Sequence, residues 1–164
     1  MKYLLIIFSL LIASVSWSND LDYFNDLVER EGLYYEKFTD KPFSGTVTGS
    51  YQGKIKKGLK QGTWLWYWDS GQLGNKVNFI DGKEEGEYLQ CYETGQLEVK
   101  GNYKDGMAVG EWLEYWDNGK LWIKVNYKDG KKEGKQLVYD KGDKLKTTQI
   151  WKNNKLLSKR FSFF

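Results

Sequence analysis

The residues best placed to do chemistry recur in register. Lys76, Lys100 and Lys124 stand 24 positions apart, and Asn78, Asn102 and Asn126 follow each of them by two. Tyr67, Tyr115 and Trp122 lie close by in the same frame. Ammonium groups among amides and aromatic rings suit binding: rings stack or insert, and lysines meet anionic groups. They do not suit catalysis. The chain has no histidine, so imidazole acid–base chemistry, Ser-His-Asp triads and imidazole metal ligands are absent. A single cysteine, Cys91, rules out a cysteine zinc cluster and an internal disulfide. Cys91 fills the position held by Tyr67 and Tyr115 in neighbouring units, which fits a half-buried strand residue better than a reactive thiol. Carboxylates are plentiful, but Glu87, Glu111 and Glu114 fall where solvated side chains are expected. The Asp-Gly pairs at 81–82, 105–106 and 129–130 are explained by turn chemistry without a bound cation. No phosphate-binding loop is present, and no cofactor is implied.

What positions these residues is a repeat. Gly62, Gly86, Gly110 and Gly134 are 24 apart, as are Gly58, Gly82, Gly106 and Gly130. Leu73, Leu97, Leu121 and Leu145 form another series, and Phe79, Tyr103, Tyr127 and Trp151 an aromatic one. Such a fixed period marks a stacked array in which each unit is one supersecondary element. Composition agrees with an all-β chain: 17% aromatic, eighteen glycines and one proline, Pro42.

Each unit reads as strand, tight turn, strand, looser turn. In the third unit the strands are 110–116 and 121–128, joined by Asp117-Asn118-Gly119-Lys120. Asn-Gly is a strong signal for a two-residue type I′ hairpin, with Ser70-Gly71 and Thr94-Gly95 in the same place. The looser turns are the Asp-Gly pairs. A two-residue loop pairs Trp68 with Leu73, Trp64 with Val77 and Gly62 with Phe79, and opposed residues share a face. One face then carries Trp64, Trp66, Trp68, Leu73, Val77 and Phe79, with Trp112, Trp116, Leu121, Ile123, Val125 and Tyr127 in the third unit. In the second unit Tyr88 opposes Gly101 and covers it. The other, mixed face carries Leu65, Tyr67, Leu89, Cys91, Leu113, Tyr115 and Trp122 with the three Lys–Asn pairs. Lysine stems lie over the leucines opposite them. A three-residue turn with a bulged glycine would alter these partnerships.

The ends differ from the array. Met1-Lys2, an apolar run from Tyr3 to Val15 and the small residues Ser16 and Ser18 read as a secretory signal peptide, residues 1–18. That run is shorter than the roughly 20 residues a bilayer-spanning helix needs. No cysteine follows it, so no lipoprotein anchor is expected. Residues 19–42 are expected to hold a short helix, capped by Asn19 or Asp20 and running to about Glu31, then a lead-in strand. The array spans 43–157, and 158–164 is a tail that covers the last unit.

The units resemble the MORN-repeat variant of many exported bacterial proteins, a repeat often labelled antitoxin-like. The stretches that carry this are Gly110-Glu111-Trp112-Leu113-Glu114-Tyr115-Trp116-Asp117-Asn118-Gly119-Lys120-Leu121 and Asn126-Tyr127-Lys128-Asp129-Gly130-Lys131-Lys132-Glu133-Gly134. The resemblance implies consecutive antiparallel hairpins in one elongated sheet. It also implies association with membranes or scaffolding, as in eukaryotic arrays of the repeat. The period of 24 and the lack of a closely paired Gly-x-Gly depart from the eukaryotic pattern, so phosphoinositide binding is not carried over.

The expectation is a non-catalytic protein-interaction scaffold in the periplasm or secreted space. The alternative is an envelope-binding module that meets anionic lipid headgroups or glycan through Tyr67, Tyr115, Trp122 and the three Lys–Asn pairs. A formal net charge of +3 without a basic cluster argues against nucleic acid as a partner. A transmembrane barrel fits poorly, because strands of about seven residues fall short of the roughly 9–11 required.

Overall fold

The computed structural model describes residues 20–162. The signal sequence expected at 1–18 lies outside them. All regular structure described is β. The lead-in holds β1 (Asp20–Asp22), β2 (Leu27–Arg30) and β3 (Leu33–Glu36). A short front unit follows, β4 (Gly45–Thr48) and β5 (Tyr51–Lys56). The full units are β6 (Leu59–Tyr67) with β7 (Leu73–Ile80), β8 (Lys83–Cys91) with β9 (Leu97–Lys104), and β10 (Met107–Tyr115) with β11 (Leu121–Lys128). The back of the array is β12 (Lys131–Lys132), β13 (Gly134–Tyr139), β14 (Leu145–Lys152) and β15 (Lys155–Phe161). From β4 onward neighbours in sequence are neighbours in one antiparallel sheet, except that β12 pairs with β11 alone and β13 also pairs with β11, and β1 is added in parallel at the front edge. Hairpins β2–β3 stand apart as a two-stranded sheet.

The helix expected from Asn19 or Asp20 to Glu31 does not form in the described part of that segment. Asp22 Oδ1 accepts the backbone N–H groups of Phe24 and Asn25, at 3.0 and 2.8 Å, and closes a turn instead. Strand alternation then separates residues that a helix would have placed together. Leu27 is 6% exposed and Val28 37%. Residues 155–161, in part assigned to a tail, are the last strand, and every one of them is exposed.

The two kinds of turn exchange roles relative to the sequence expectation. The Asp-Gly pairs are the two-residue hairpins: Ile80 pairs with Lys83, and both Asp81 and Gly82 have positive φ, 48° and 80°. Positive φ at both central residues defines type I′. Lys57-Gly58, Asp105-Gly106, Asp129-Gly130 and Asn153-Asn154 repeat that geometry. The Asn-Gly, Ser-Gly and Thr-Gly sites are three-residue loops. Gly71 N–H donates to Trp68 O at 2.8 Å, Trp68 N–H donates to Gln72 O at 2.9 Å, and only the glycine is left-handed. Asn118 therefore needs no positive φ; Gly119 alone has it, at 78°.

That loop brings a bulge. Gly62↔Phe79, Trp64↔Val77 and Leu65↔Lys76 pair as expected, but Tyr67 pairs with Leu73 rather than Trp68 doing so. The register slips by one at Gly74, and at the matching sites beside Cys91, Tyr115 and Tyr139. Leu73 and Leu121 thereby move from the aromatic face to the mixed one.

The core sits under the front end. Leu27, Phe43, Val47, Ile55, Trp64, Val77 and Phe79 bury one another where the β2–β3 hairpin folds onto the aromatic face. Trp64 is fully buried, with its indole over Gly53, where a Cβ would lie 2.3 Å from the ring. Trp112 lies in the same way over Gly101. Tyr88 does oppose Gly101, yet the ring that covers this glycine is Trp112, not Tyr88.

Candidate functional site

The mixed face is built as rows. Leu65, Lys76, Leu89, Lys100, Leu113, Lys124 and Leu137 follow one another across β6 to β13 by strand pairing. Asn78 pairs with Thr63, Asn102 with Glu87 and Asn126 with Glu111. The glutamates thus enter the lysine face. Glu87 lies 3.8 Å from Lys76 and 3.3 Å from Lys100, and Glu111 is ion-paired with Lys124. Glu111 holds the Lys124 ammonium above its ordinary range through that hydrogen bond. Each lysine of this row is therefore partly neutralised within its own face, and the row is not a free cationic strip. Tyr67 and Tyr115 lie in the neighbouring row opposite Leu73 and Leu121, with Cys91 opposite Leu97. Burial pushes the Cys91 thiol up, away from thiolate reactivity.

Trp122 is not with them. It occupies the bulge position and stacks on Trp116, centroids 4.5 Å apart and rings inclined by 28°. The extra residue at the bulge turns it onto the aromatic face. Two units earlier, where Gly74 holds the bulge position, Trp68 packs instead against Trp66, at 4.4 Å.

The aromatic face carries a near-continuous ladder. Tyr51 meets Trp64 at 4.9 Å and Trp64 meets Phe79 at 6.3 Å. Farther along, Tyr88 and Tyr103 both flank Trp112, at 5.5 and 5.1 Å, and Trp112 meets Tyr127 at 5.9 Å. These are edge-to-face and tilted contacts, which ring quadrupoles favour. A second row ties units together: Trp68 Nε1 donates to Cys91 O, Tyr92 Oη to Tyr115 O and Trp116 Nε1 to Tyr139 O. Trp112 Nε1 is buried without an acceptor among the described residues. Glu114 lies on this face, and burial raises its carboxyl above the usual range, with Lys132 opposing.

At the front of the ladder, beside the β2–β3 hairpin, a cleft of about 500 Å³ opens. Lys60 is its centre. The ammonium lies 4.6 Å from the Tyr51 ring, 4.8 Å from Trp64, 5.0 Å from Tyr23, 5.2 Å from Tyr34 and 5.3 Å from Phe79. It donates to Tyr51 Oη at 3.0 Å. Burial pulls Lys60 down to about 8, while Glu29 and Glu84 pull the other way. Burial also raises Tyr51, to about 12, and lifts Tyr34 further. The cage escapes self-comparison for two reasons. Its first two rings come from the lead-in, outside the repeats, and the positions matching Lys60 are Glu84, Ala108 and Lys132. Lysine recurs in that series at Lys132, whose ammonium lies 5.0 Å from the Trp151 ring.

Three stretches, residues 60–81, 84–105 and 108–129, match the MORN repeat variant family. They coincide with the three full units, β6–β7, β8–β9 and β10–β11. No curated protein matches the chain. Repeats of this kind are binding modules for protein or membrane surfaces and are not a known enzyme family.

Proposed function

We propose that the chain is a non-catalytic protein-interaction scaffold, exported to the periplasm or the secreted space. The observation that carries this reading is the uneven cover of the aromatic face. At its front the chain's own β2–β3 hairpin folds onto Trp64, Val77 and Phe79. Beyond Tyr88 the rings of Tyr103, Tyr127, Trp116 and Trp122 stay half-exposed, while Trp112 is buried among Tyr88, Tyr103 and Tyr127. A face that accepts a hairpin at one end suits another protein's strand or hairpin along the rest, with aromatic anchors in the middle.

The reading moves the contact surface. The Lys76, Lys100 and Lys124 row is less suited to anionic headgroups, because Glu87 and Glu111 already engage its ammonium groups. A photo-crosslinking residue at Trp122 is expected to capture protein partners in intact cells, and one at Lys100 to capture few. Capture from Lys100 alone would reject the aromatic surface. Export is tested separately: the mature chain should begin at Asn19, and an intact N-terminus in the cytoplasmic fraction would reject it.

A further inference from the structure

We infer that the cleft around Lys60 is a binding site for a neutral, hydroxyl-rich ring, that is, a sugar unit of a glycan. This goes beyond the scaffold reading and does not depend on it.

The chemistry of the lining selects the ligand by elimination. Tyr34, Tyr51, Phe79, Tyr88 and Tyr103 supply flat apolar walls, and Glu29, Glu84, Asn75 and Lys60 supply polar groups between them. Neither Glu29, Glu84 nor Lys60 takes part in an ion pair among the described residues. Two carboxylates against one ammonium repel an anion. A ligand cation would compete with Lys60, whose own charge already fills the aromatic cage. A purely apolar ligand would strip water from the Glu29 and Glu84 carboxylates and offer nothing in its place. A sugar ring avoids each penalty. Its C–H face stacks on the tyrosine rings, its hydroxyls donate to Glu84 and Glu29, and they accept from Lys60 and the Asn75 amide.

The volume, about 500 Å³, lies within the range of small-molecule sites. The cleft also has a direction. Tyr88 and Tyr103 line it and both contact Trp112, which contacts Tyr127. A second and third sugar would therefore continue along the ladder past Tyr103 toward Trp112 and Tyr127.

Saturation-transfer NMR on the purified protein tests this. The probes are D-glucose, N-acetyl-D-glucosamine and their β-1,4-linked di- to tetrasaccharides, with glucuronic acid and glucosamine as charged controls. The expected result is transfer to ring C–H protons of a neutral probe, with affinity rising with chain length. Glu84→Gln should weaken binding by about tenfold or more, the scale of a hydrogen bond to a charged group, and Tyr103→Ala should weaken it by removing a stacking wall. Glu111→Gln, on the opposite face, should change nothing. Trp112→Ala should weaken the tetrasaccharide and spare the monosaccharide. Circular dichroism confirms that each variant remains folded. Any one of three results overturns the inference: no transfer to any neutral probe, unchanged binding in folded Glu84→Gln and Tyr103→Ala, or tighter binding of a charged control.

Discussion

Alanine at Gly101 and alanine at Gly53 impose the same local insult under different lids. A Cβ at Gly101 would lie 2.2 Å from the Trp112 ring, and one at Gly53 would lie 2.3 Å from Trp64. Ordinary carbon contacts begin near 3.5 Å, so in both cases the indole must lift by about 1 Å. What differs is whether it can. Trp112 is 9% exposed and borders Tyr88, Tyr103 and Tyr127, rings of the sheet itself rather than of the lead-in. Its N–H has no acceptor to lose. Trp64 is fully buried beneath Tyr23 and Tyr51, and its N–H donates to Lys54 O at 3.2 Å. Overpacking typically costs about 1–3 kcal/mol. Gly101→Ala should fall at about 1–2 kcal/mol, and Gly53→Ala at about 3 kcal/mol or more. Urea unfolding followed by far-UV circular dichroism gives the totals. Hydrogen exchange on β5 and β9 localises them, which a repeat array requires because its units need not unfold together. Adding Trp112→Ala to Gly101→Ala should cost less than the sum of the two alone. Equal losses at the two glycines, or a larger loss at Gly101, would refute the argument from the lid.

Three further outcomes follow from the turns and the cage. Asp105→Val should cost about 1–2 kcal/mol, because residue 105 has φ of 50°, whereas Thr94→Val should be nearly neutral, since only Gly95 of that loop is left-handed; similar urea midpoints would reject the turn assignments. Gly119→Val should lower stability more than Lys124→Ala, because φ of 78° suits glycine while Lys124 forms an exposed ion pair. Lys60 gives a pH signature: its folded value, about 8, lies below the ordinary lysine value of 10.5, so the charged form carries a burial penalty in full below about pH 8. As pH rises from 8 toward 10 the folded chain releases that proton first, and stability should rise by about 1–2 kcal/mol. Lys60→Met should flatten the rise, and a wild-type decline over that window would refute the assignment. Above pH 10 the trend should reverse, because Tyr34 and Tyr51 resist ionising in the folded state and ionise in the unfolded one.

The sequence by itself determined the all-β array, its period and much of its register. Glycines and aromatics 24 apart mark a stacked array, the turn pairs between strand-like runs make its units hairpins, and alternation along Gly62–Trp66 and Asn75–Phe79 sets their pairing without tertiary help. Only the folded chain decided the rest. Asn118-Gly119 and Asp129-Gly130 are both good turn pairs locally, and which becomes the two-residue hairpin depends on the bulge beside Tyr115. That bulge adds one residue and sends Trp122 to the opposite face from Lys124. Local pattern likewise allowed a helix at 20–31. Packing Leu27 against Trp64 and Phe79 favoured a strand hairpin over the sheet. The Lys60 cleft needed both that hairpin and the array. Its cage joins Tyr23 and Tyr34 of the lead-in to Tyr51, Trp64 and Phe79 of the sheet, residues that no local pattern could bring around one ammonium group.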